Sequence, residues 1–268
     1  MSPEGLPSGE ADGGVGSVGD TDLAAHLAGA AGRLLLQIRG AGLGRLSGAE
    51  LGRAGDEQAN ALILSGLAEM RRGDGVLSEE SLDDPSRTLR NRVWIVDPLD
   101  GTKEFTTEGR SDWAVHVALW EKHLGITAAA VAVPAIGEVF RTDEPRPAPS
   151  ARREVPIILI SASRPPAFSQ RVASELGGEL VTMGSAGAKT TEVLRGRADA
   201  YIHAGGQWEW DSAAPVGVAI ASGLHASRTD GSPLLYNQPE PYLPDLVICR
   251  PYLADAILAA IGHDRIEE

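Results

Sequence analysis

The sequence predicts a mixed α+β fold whose sheets are covered by helices. Three observations lead there. Apolar residues three and four apart mark helices early in the chain. Short β-branched runs bounded by turns follow. Beyond residue 155, strand-like and helix-like segments succeed one another to the end.

The helical signal comes first. Leu23, Leu27, Ala30, Ala31, Leu34, Leu35 and Ile38 put one apolar face on a helix over Asp22–Arg39, behind an Asp or Thr cap. The glycine-rich stretch 40–52 reads as a loop with weak strand character. Helical spacing returns over Asp56–Arg71 through Ala59, Leu62, Ile63, Leu67 and Met70, with Asp56 at the N-cap. Val76–Ser78 is a short strand running into Glu79 and Glu80, and 81–91, with Pro85, is a loop. Val93–Val96 is a compact strand that stops at Asp97-Pro98-Leu99-Asp100-Gly101-Thr102. Ala114–Trp120 and Ile126–Val133 follow as strands, with an edge at Glu138–Arg141. The proline-rich, charged stretch Thr142 to Glu154 is the expected boundary between an N-terminal half, 20–145, and a C-terminal half, 155–268, which together make one catalytic unit. In the second half we expect strands at Ile157–Ser161, Leu180–Met183, Ala200–His203 and Leu246–Cys249. Helices are expected at Ala167–Leu176, Ala186–Leu194, Ala213–Ser222 and Ala254–Ile261. Residues 1–19, rich in Gly, Ser, Asp and Glu, read as a disordered tail.

Charge and composition narrow the function. The 268 residues carry a formal charge of −13, which repels nucleic-acid backbones and anionic membranes, so neither is expected as a partner. No apolar run is long enough to span a bilayer. One cysteine, Cys249, excludes an intramolecular disulfide and fits a reducing cytoplasm; it is expected to be buried in its strand. A phosphate substrate would need local divalent cations to overcome the acidic field.

The chemistry concentrates at Asp97 and Asp100. An apolar strand delivers two carboxylates, three apart, to its carboxyl end. Pro98 fixes one φ, and Gly101 permits a tight path. Oxygen-only ligands of this kind suit Mg²⁺. A bare Asp-x-x-Asp is also an ordinary acidic turn, so the motif gains weight only from the longer string around it.

That string, Trp94-Ile95-Val96-Asp97-Pro98-Leu99-Asp100-Gly101-Thr102-Lys103-Glu104-Phe105, resembles the signature of the inositol monophosphatase-like family. Leu77-Ser78-Glu79-Glu80 upstream and Trp210-Asp211-Ser212-Ala213-Ala214 downstream resemble two further family motifs. Asp56 stands where the family places an Asp leading a helix. The resemblance implies a layered α-β-α-β-α sandwich and a Mg²⁺-dependent phosphatase with two or three ions. It implies that Glu79, Asp97, Asp100, Asp211 and the Leu99 carbonyl hold metal, and that Thr102 and Asp56 position and deprotonate the attacking water, with Asp56 sharing in a third cation site. It implies that the amides of Gly101 and Thr102, at the start of a helix, hold the phosphate, that Glu79, Leu99 and Asp211 also border the substrate, and that the protein is a homodimer.

Other segments resemble the family's CysQ-type nucleotidase branch. Lys103-Glu104-Phe105 stands where inositol phosphatases more often carry Thr-Asn-Phe, and Asp230–Tyr236 matches that branch too. Two departures from the wider family, Gly55 before Asp56 and a segment from Tyr201 to Asp211 about one residue longer, count against a preference for inositol phosphates. The glycine-rich run Gly184-Ser185-Ala186-Gly187-Ala188-Lys189 offers backbone amides, Ser185 and Lys189 to a ribose or second phosphate, or is simply a tight strand-to-helix turn. His203 ends a strand facing the same region. Trp208 is a candidate base-stacking ring, with Trp210 as packing. The expected substrate is adenosine 3',5'-bisphosphate, with its sulfated form beside it. Inositol-1-phosphate and fructose-1,6-bisphosphate are the alternatives within the fold. A non-catalytic phosphate sensor should lack one of Asp56, Thr102 or the metal carboxylates, and all are present.

Overall fold

The computed structural model describes residues 18–147 and 151–262, so most of the expected tail lies outside the described residues. Two long helices open the fold, α1 (Asp20–Gly42) and α2 (Gly48–Met70). Five strands follow: β1 (Gly75–Ser78), β2 (Arg92–Asp100), β3 (Ala114–Glu121), β4 (Gly125–Val133) and β5 (Glu138–Arg141), with the single turn α3 (Thr102–Phe105) after β2. Beyond the charged connection come β6 (Ile157–Ser161), α4 (Ser169–Leu176), β7 (Glu179–Met183), α5 (Ala186–Leu194), β8 (Ala200–Trp208), α6 (Glu209–Ala221), β9 (His225–Ser227), β10 (Tyr242–Cys249) and α7 (Ala254–Gly262).

The strands form two sheets, ordered β1-β2-β3-β4-β5 and β7-β6-β8-β10-β9. Period-two alternation divides each strand between two cores. On β2, Trp94 and Val96 pack under α1 and α2, while Val93 and Ile95 face the middle of the molecule. On β6, Leu159 faces the middle, and Ile158 and Ile160 face α4 and α7. Residues of α5 and α6 share the middle core with both sheets. The layers therefore run α-β-α-β-α, as the resemblance implied.

The expected loop at 40–52 is mostly helix. α1 continues to Gly42 and α2 starts at Gly48, leaving a short turn. Ser47 and Glu50 close a capping box, with the Glu50 amide on Ser47 Oγ at 3.3 Å and the Ser47 amide on Glu50 Oε2 at 2.9 Å. Asp56 is therefore not an N-cap but lies inside α2. The expected strand at Val93–Val96 also continues, as β2, through Asp97 to Asp100, with its register against β3 shifting between those two acids. No helix of the described residues is long and apolar enough to cross a membrane.

Candidate active site

The site forms where β2 ends, under the amino ends of α5 and α6. Asp97 and Asp100 are buried on β2, and Asp211 sits in the first turn of α6. Each of the three offers one carboxylate oxygen within 4.8 Å of the others. The register shift in β2 matters here. In a regular strand, residues three apart point to opposite faces, and the shift turns both acids to one place. Asp97 Oδ1 accepts the Leu99 amide at 3.0 Å, and Thr102 Oγ1 donates to the Leu99 carbonyl at 3.2 Å. Gly101 makes the corner at φ 90°.

Asp56 reaches the site because α2 can press closely on the turn. A Cβ on Gly52 would stand 2.7 Å from Thr102 Cγ2, and one on Gly55 3.0 Å from both Leu99 and Phe105. These two small residues bring the Asp56 carboxyl up to the Thr102 hydroxyl. Gly55, a departure from the wider family, thus has a packing reason.

The electrostatics divide the cluster. Burial first, then the charges of Glu79, Asp100 and Asp211, push Asp97 well above the ordinary carboxylate range. Desolvation, then Asp211, lifts Glu79 to about 8 at the open mouth of the site. Burial and Asp100 lift Asp211 to about 6. Burial and Glu80 lift Asp56 to about 7, against its bond with Thr102. Burial also works against Asp100, but His116, Lys189 and Ser185 outweigh it and hold that carboxyl low. Buried acids that repel one another lack positive charge within the protein. A divalent cation with a preference for oxygen supplies it, so these residues fit the metal that the sequence implied.

A cleft of about 200 Å³ opens beside the carboxylates. Asp100 lines it with six of the residues expected for the substrate, Gly101, Gly184, Ser185, Lys189, His203 and Asp211, but not with Glu79, Leu99 or Thr102. Trp208 does not line it either. Its ring stacks on Trp210, centroids 5.4 Å apart and planes 13° apart, with Tyr242 edge-on. Ser185 also departs from expectation. Its hydroxyl proton goes to Asp100 Oδ2 at 2.5 Å, and its oxygen accepts the Ala188 amide at 2.9 Å. It braces the Asp100 carboxyl and caps α5. Lys189 is buried, donating to the Gly184 and Ser185 carbonyls, with its ammonium 4.8 Å from the Tyr201 ring centroid. Burial lowers its pKa to about 8. Burial also takes His203 down to about 4; its Nε2 faces the Gly206 carbonyl at 3.2 Å. The longer segment before Asp211 is a bulge: Gly205 and Gly206, both at positive φ, oppose the single Pro244 of β10.

The expected helix at Thr102 is only one turn, so its dipole is slight and any phosphate contact rests on the first amides themselves. Two groups of residues escaped the sequence reading. Tyr201, Gln207, Ser161, Ser163 and Arg164 complete the cleft. His116 lies against the carboxylates, with Nε2 3.2 Å from Asp100 Oδ2. Only its place in an otherwise apolar strand could have marked it.

The chain belongs to the inositol monophosphatase family, whose model matches residues 21–263. It is 54% identical over 243 residues to the 3'-phosphoadenosine 5'-phosphate phosphatase of Mycobacterium tuberculosis (strain CDC 1551 / Oshkosh), covering 87% of this chain and 89% of that one. It is 31% identical over 203 residues to the 3'(2'),5'-bisphosphate nucleotidase CysQ of Escherichia coli (strain K12), covering 71% and 81%. The crystal structure of CysQ from Bacteroides thetaiotaomicron superposes with a TM-score of 0.72 at 25% identity, covering 85% of this chain and 96% of that one.

Proposed function

We propose that this enzyme is a Mg²⁺-dependent phosphatase that removes the 3'-phosphate of adenosine 3',5'-bisphosphate, giving AMP and inorganic phosphate. The observation that carries the reading is the trio Asp97, Asp100 and Asp211, the first two buried and the third half-buried, with Thr102 on the adjoining turn and Asp56 beside it. The similarity to enzymes named for this substrate supports the choice of ester.

Glu79, Asp97, Asp100, Asp211 and the Leu99 carbonyl are the groups that would hold two or three Mg²⁺ ions. When bound, Mg²⁺ lowers the pKa of water and neutralises charge on the phosphoryl oxygens. The chain supplies the rest. Asp56, at about 7, is matched to take a proton from water at neutral pH, and Thr102 holds it in place. The water oxygen bonds to phosphorus as the bond from phosphorus to the 3'-oxygen breaks, and the 3'-oxygen takes a proton from solvent to become the ribose hydroxyl while Asp56 returns its own to solvent. The first-turn amides of Gly101 and Thr102 have no carbonyl four residues back in their own helix and can serve phosphate oxygens. Lys189 and Arg164, at the other side of the cleft, suit the second phosphate.

The same reading extends to a cytoplasmic homodimer that clears a by-product of sulfur assimilation and is slowed by Li⁺ at a weaker cation position. The test is kcat/KM for adenosine 3',5'-bisphosphate, inositol-1-phosphate and fructose-1,6-bisphosphate at equal Mg²⁺. The bisphosphate nucleotide should lead. A higher value for either sugar phosphate would overturn the assignment.

A further inference from the structure

We infer that His116 is a positioning residue for the cation site, acting as a matched pair with Gly187 to hold Asp100 in its ligating orientation. The inference rests on the reading of the carboxylate cluster as a cation site.

His116 is fully buried on β3 and stands directly opposite Asp97 in the β2–β3 ladder. Directly opposed residues of an antiparallel pair project to the same face. Its ring therefore enters the carboxylate cluster from beneath. Nε2 lies 3.2 Å from Asp100 Oδ2, and Nδ1 lies 3.2 Å from the Trp210 carbonyl and 3.9 Å from Asp97 Oδ2. One ring thus touches both acids of β2 and the residue beside Asp211 on α6. These are the two elements that supply the trio.

Asp100 is held from one side. Its Oδ2 receives Ser185 Oγ at 2.5 Å and the Gly187 amide at 2.8 Å, and faces His116. Two donors hold that oxygen and the His116 ring backs it at contact distance without a hydrogen bond, so the other oxygen is presented to a cation in a fixed orientation. That is the service an outer ring of partners gives a metal ligand.

Gly187 is the counterpart. A Cβ there would stand 2.1 Å from His116 Nε2 and 3.0 Å from Ala114 Cβ. The ring and the Gly187 amide reach the same oxygen only because position 187 has no side chain. Nothing in the helical register of α5 demands glycine there, since Gly187 lies in its first turn at an ordinary negative φ. The histidine does.

The test is calorimetric titration of Mg²⁺ into the full-length, chelator-stripped protein at fixed pH, with the melting temperature followed in parallel. His116→Ala should raise Kd for Mg²⁺ by about tenfold or more. His116→Asn, which keeps one donor without the ring, should fall between that variant and the parent. Gly187→Ala should weaken binding in the parent but add less than its full cost in His116→Ala, because the clash with the ring is gone and only the Ala114 contact remains. A ring that merely fills space would lower the melting temperature of all these variants and leave Kd unchanged, and that result would overturn the inference. Additive losses in the double variant would overturn the pairing with Gly187. If His116→Ala fails to fold, His116→Asn and Gly187→Ala still decide between these outcomes. Absence of Mg²⁺ binding by the parent protein would instead remove the cation reading on which the inference stands.

Discussion

Asp97 and Asp100 lie three residues apart on one strand, both buried, yet their surroundings oppose each other. Asp97 looks toward Glu79 and Asp211, and burial with those charges pushes its carboxyl up. Asp100 looks toward Ser185, Gly187, His116 and Lys189, which hold its carboxyl low despite burial. One side of the site is short of positive charge and the other is furnished with donors. The fold stores the deficit on the side where a cation can relieve it, and uses the furnished side to fix geometry. Such a deficit costs the cation-free protein stability, and a bound cation would relieve it.

The widest break in this comparison comes from neutralising each acid in turn. Asp97→Asn and Asp100→Asn should each lower kcat by at least about a hundredfold, as expected for loss of a major electrostatic contribution. Their stabilities in excess chelator should move in opposite directions. Asp97→Asn removes a buried carboxyl that without a cation must take up a proton to stay in place, so its melting temperature should rise, by about 2–4 °C for each kcal/mol relieved. Asp100→Asn removes the carboxylate that accepts from Ser185 and Gly187, so its melting temperature should fall. A fall for both would mean that Asp97 is compensated within the protein. Near-normal kcat in Asp97→Asn would refute its assignment as a ligand.

Proton competition gives the next effect. Asp211, Asp56 and Glu79, at about 6, 7 and 8, all lie above the values of an unfolded chain. The cation-free folded protein therefore holds protons that the unfolded chain has released, and its stability declines as pH rises from about 5 through 8. Saturating Mg²⁺ displaces those protons and should flatten the decline, while the apparent affinity for Mg²⁺ rises over the same window. Melting curves from pH 5 to 8.5, with chelator and with Mg²⁺, measure both. A pH-independent melting temperature in chelator would show that the acids are not paired against one another. Activity should vanish in excess chelator, and persistence there would end the cation reading.

How much of this was legible in the sequence follows from the distances involved. The turn from Asp97 to Thr102 is local, so its string of residues carried its own geometry, whereas Glu79, Asp56 and Asp211 were expected there only through the family resemblance. What local pattern could not show was contact across the fold. His116 reads as one polar residue in an apolar strand, and only the pairing with Asp97 makes it part of the site. Ser185 was visible as a hydroxyl near a glycine run, but its proton is committed to an acid eighty-five residues away. The start of α2 was misread because glycines at 48, 52 and 55 weaken the helical signal, although Ser47 and Glu50 carry the spacing of a capping box. Those glycines answer to the close approach of α2 to the metal turn, which lies beyond any window of neighbouring residues.

A smaller effect should sharpen the contrast between the carboxylates and the cleft's far wall. Lys189 commits its ammonium to the Gly184 and Ser185 carbonyls while lining the cleft, so it both shapes the loop and offers charge. Lys189→Met should raise KM for adenosine 3',5'-bisphosphate about tenfold, the scale of one charged hydrogen bond. The effect on a substrate with a single phosphate should be less. Equal losses on both would confine Lys189 to holding the loop.

The smallest effect should come from Trp208→Ala. A ring that stacks on the base would contribute about 1–3 kcal/mol, or roughly ten- to a hundredfold in kcat/KM, for the nucleotide alone. The ring here is 41% exposed, lies outside the cleft lining, and already spends one face on Trp210 and a side on Tyr242. Its loss should therefore lower the melting temperature through the broken aromatic cluster and reduce kcat/KM by less than about threefold, equally for the nucleotide and for inositol-1-phosphate. Both assays need Mg²⁺ saturation checked first, because Trp208 donates its amide to Asp211 Oδ2 at 2.6 Å and a shifted backbone would weaken cation binding for every substrate alike. A tenfold loss confined to the nucleotide would show that the open face of Trp208 receives the base. The substrate would then extend past the cleft, across the bulge of β8, to the outer surface of the second sheet.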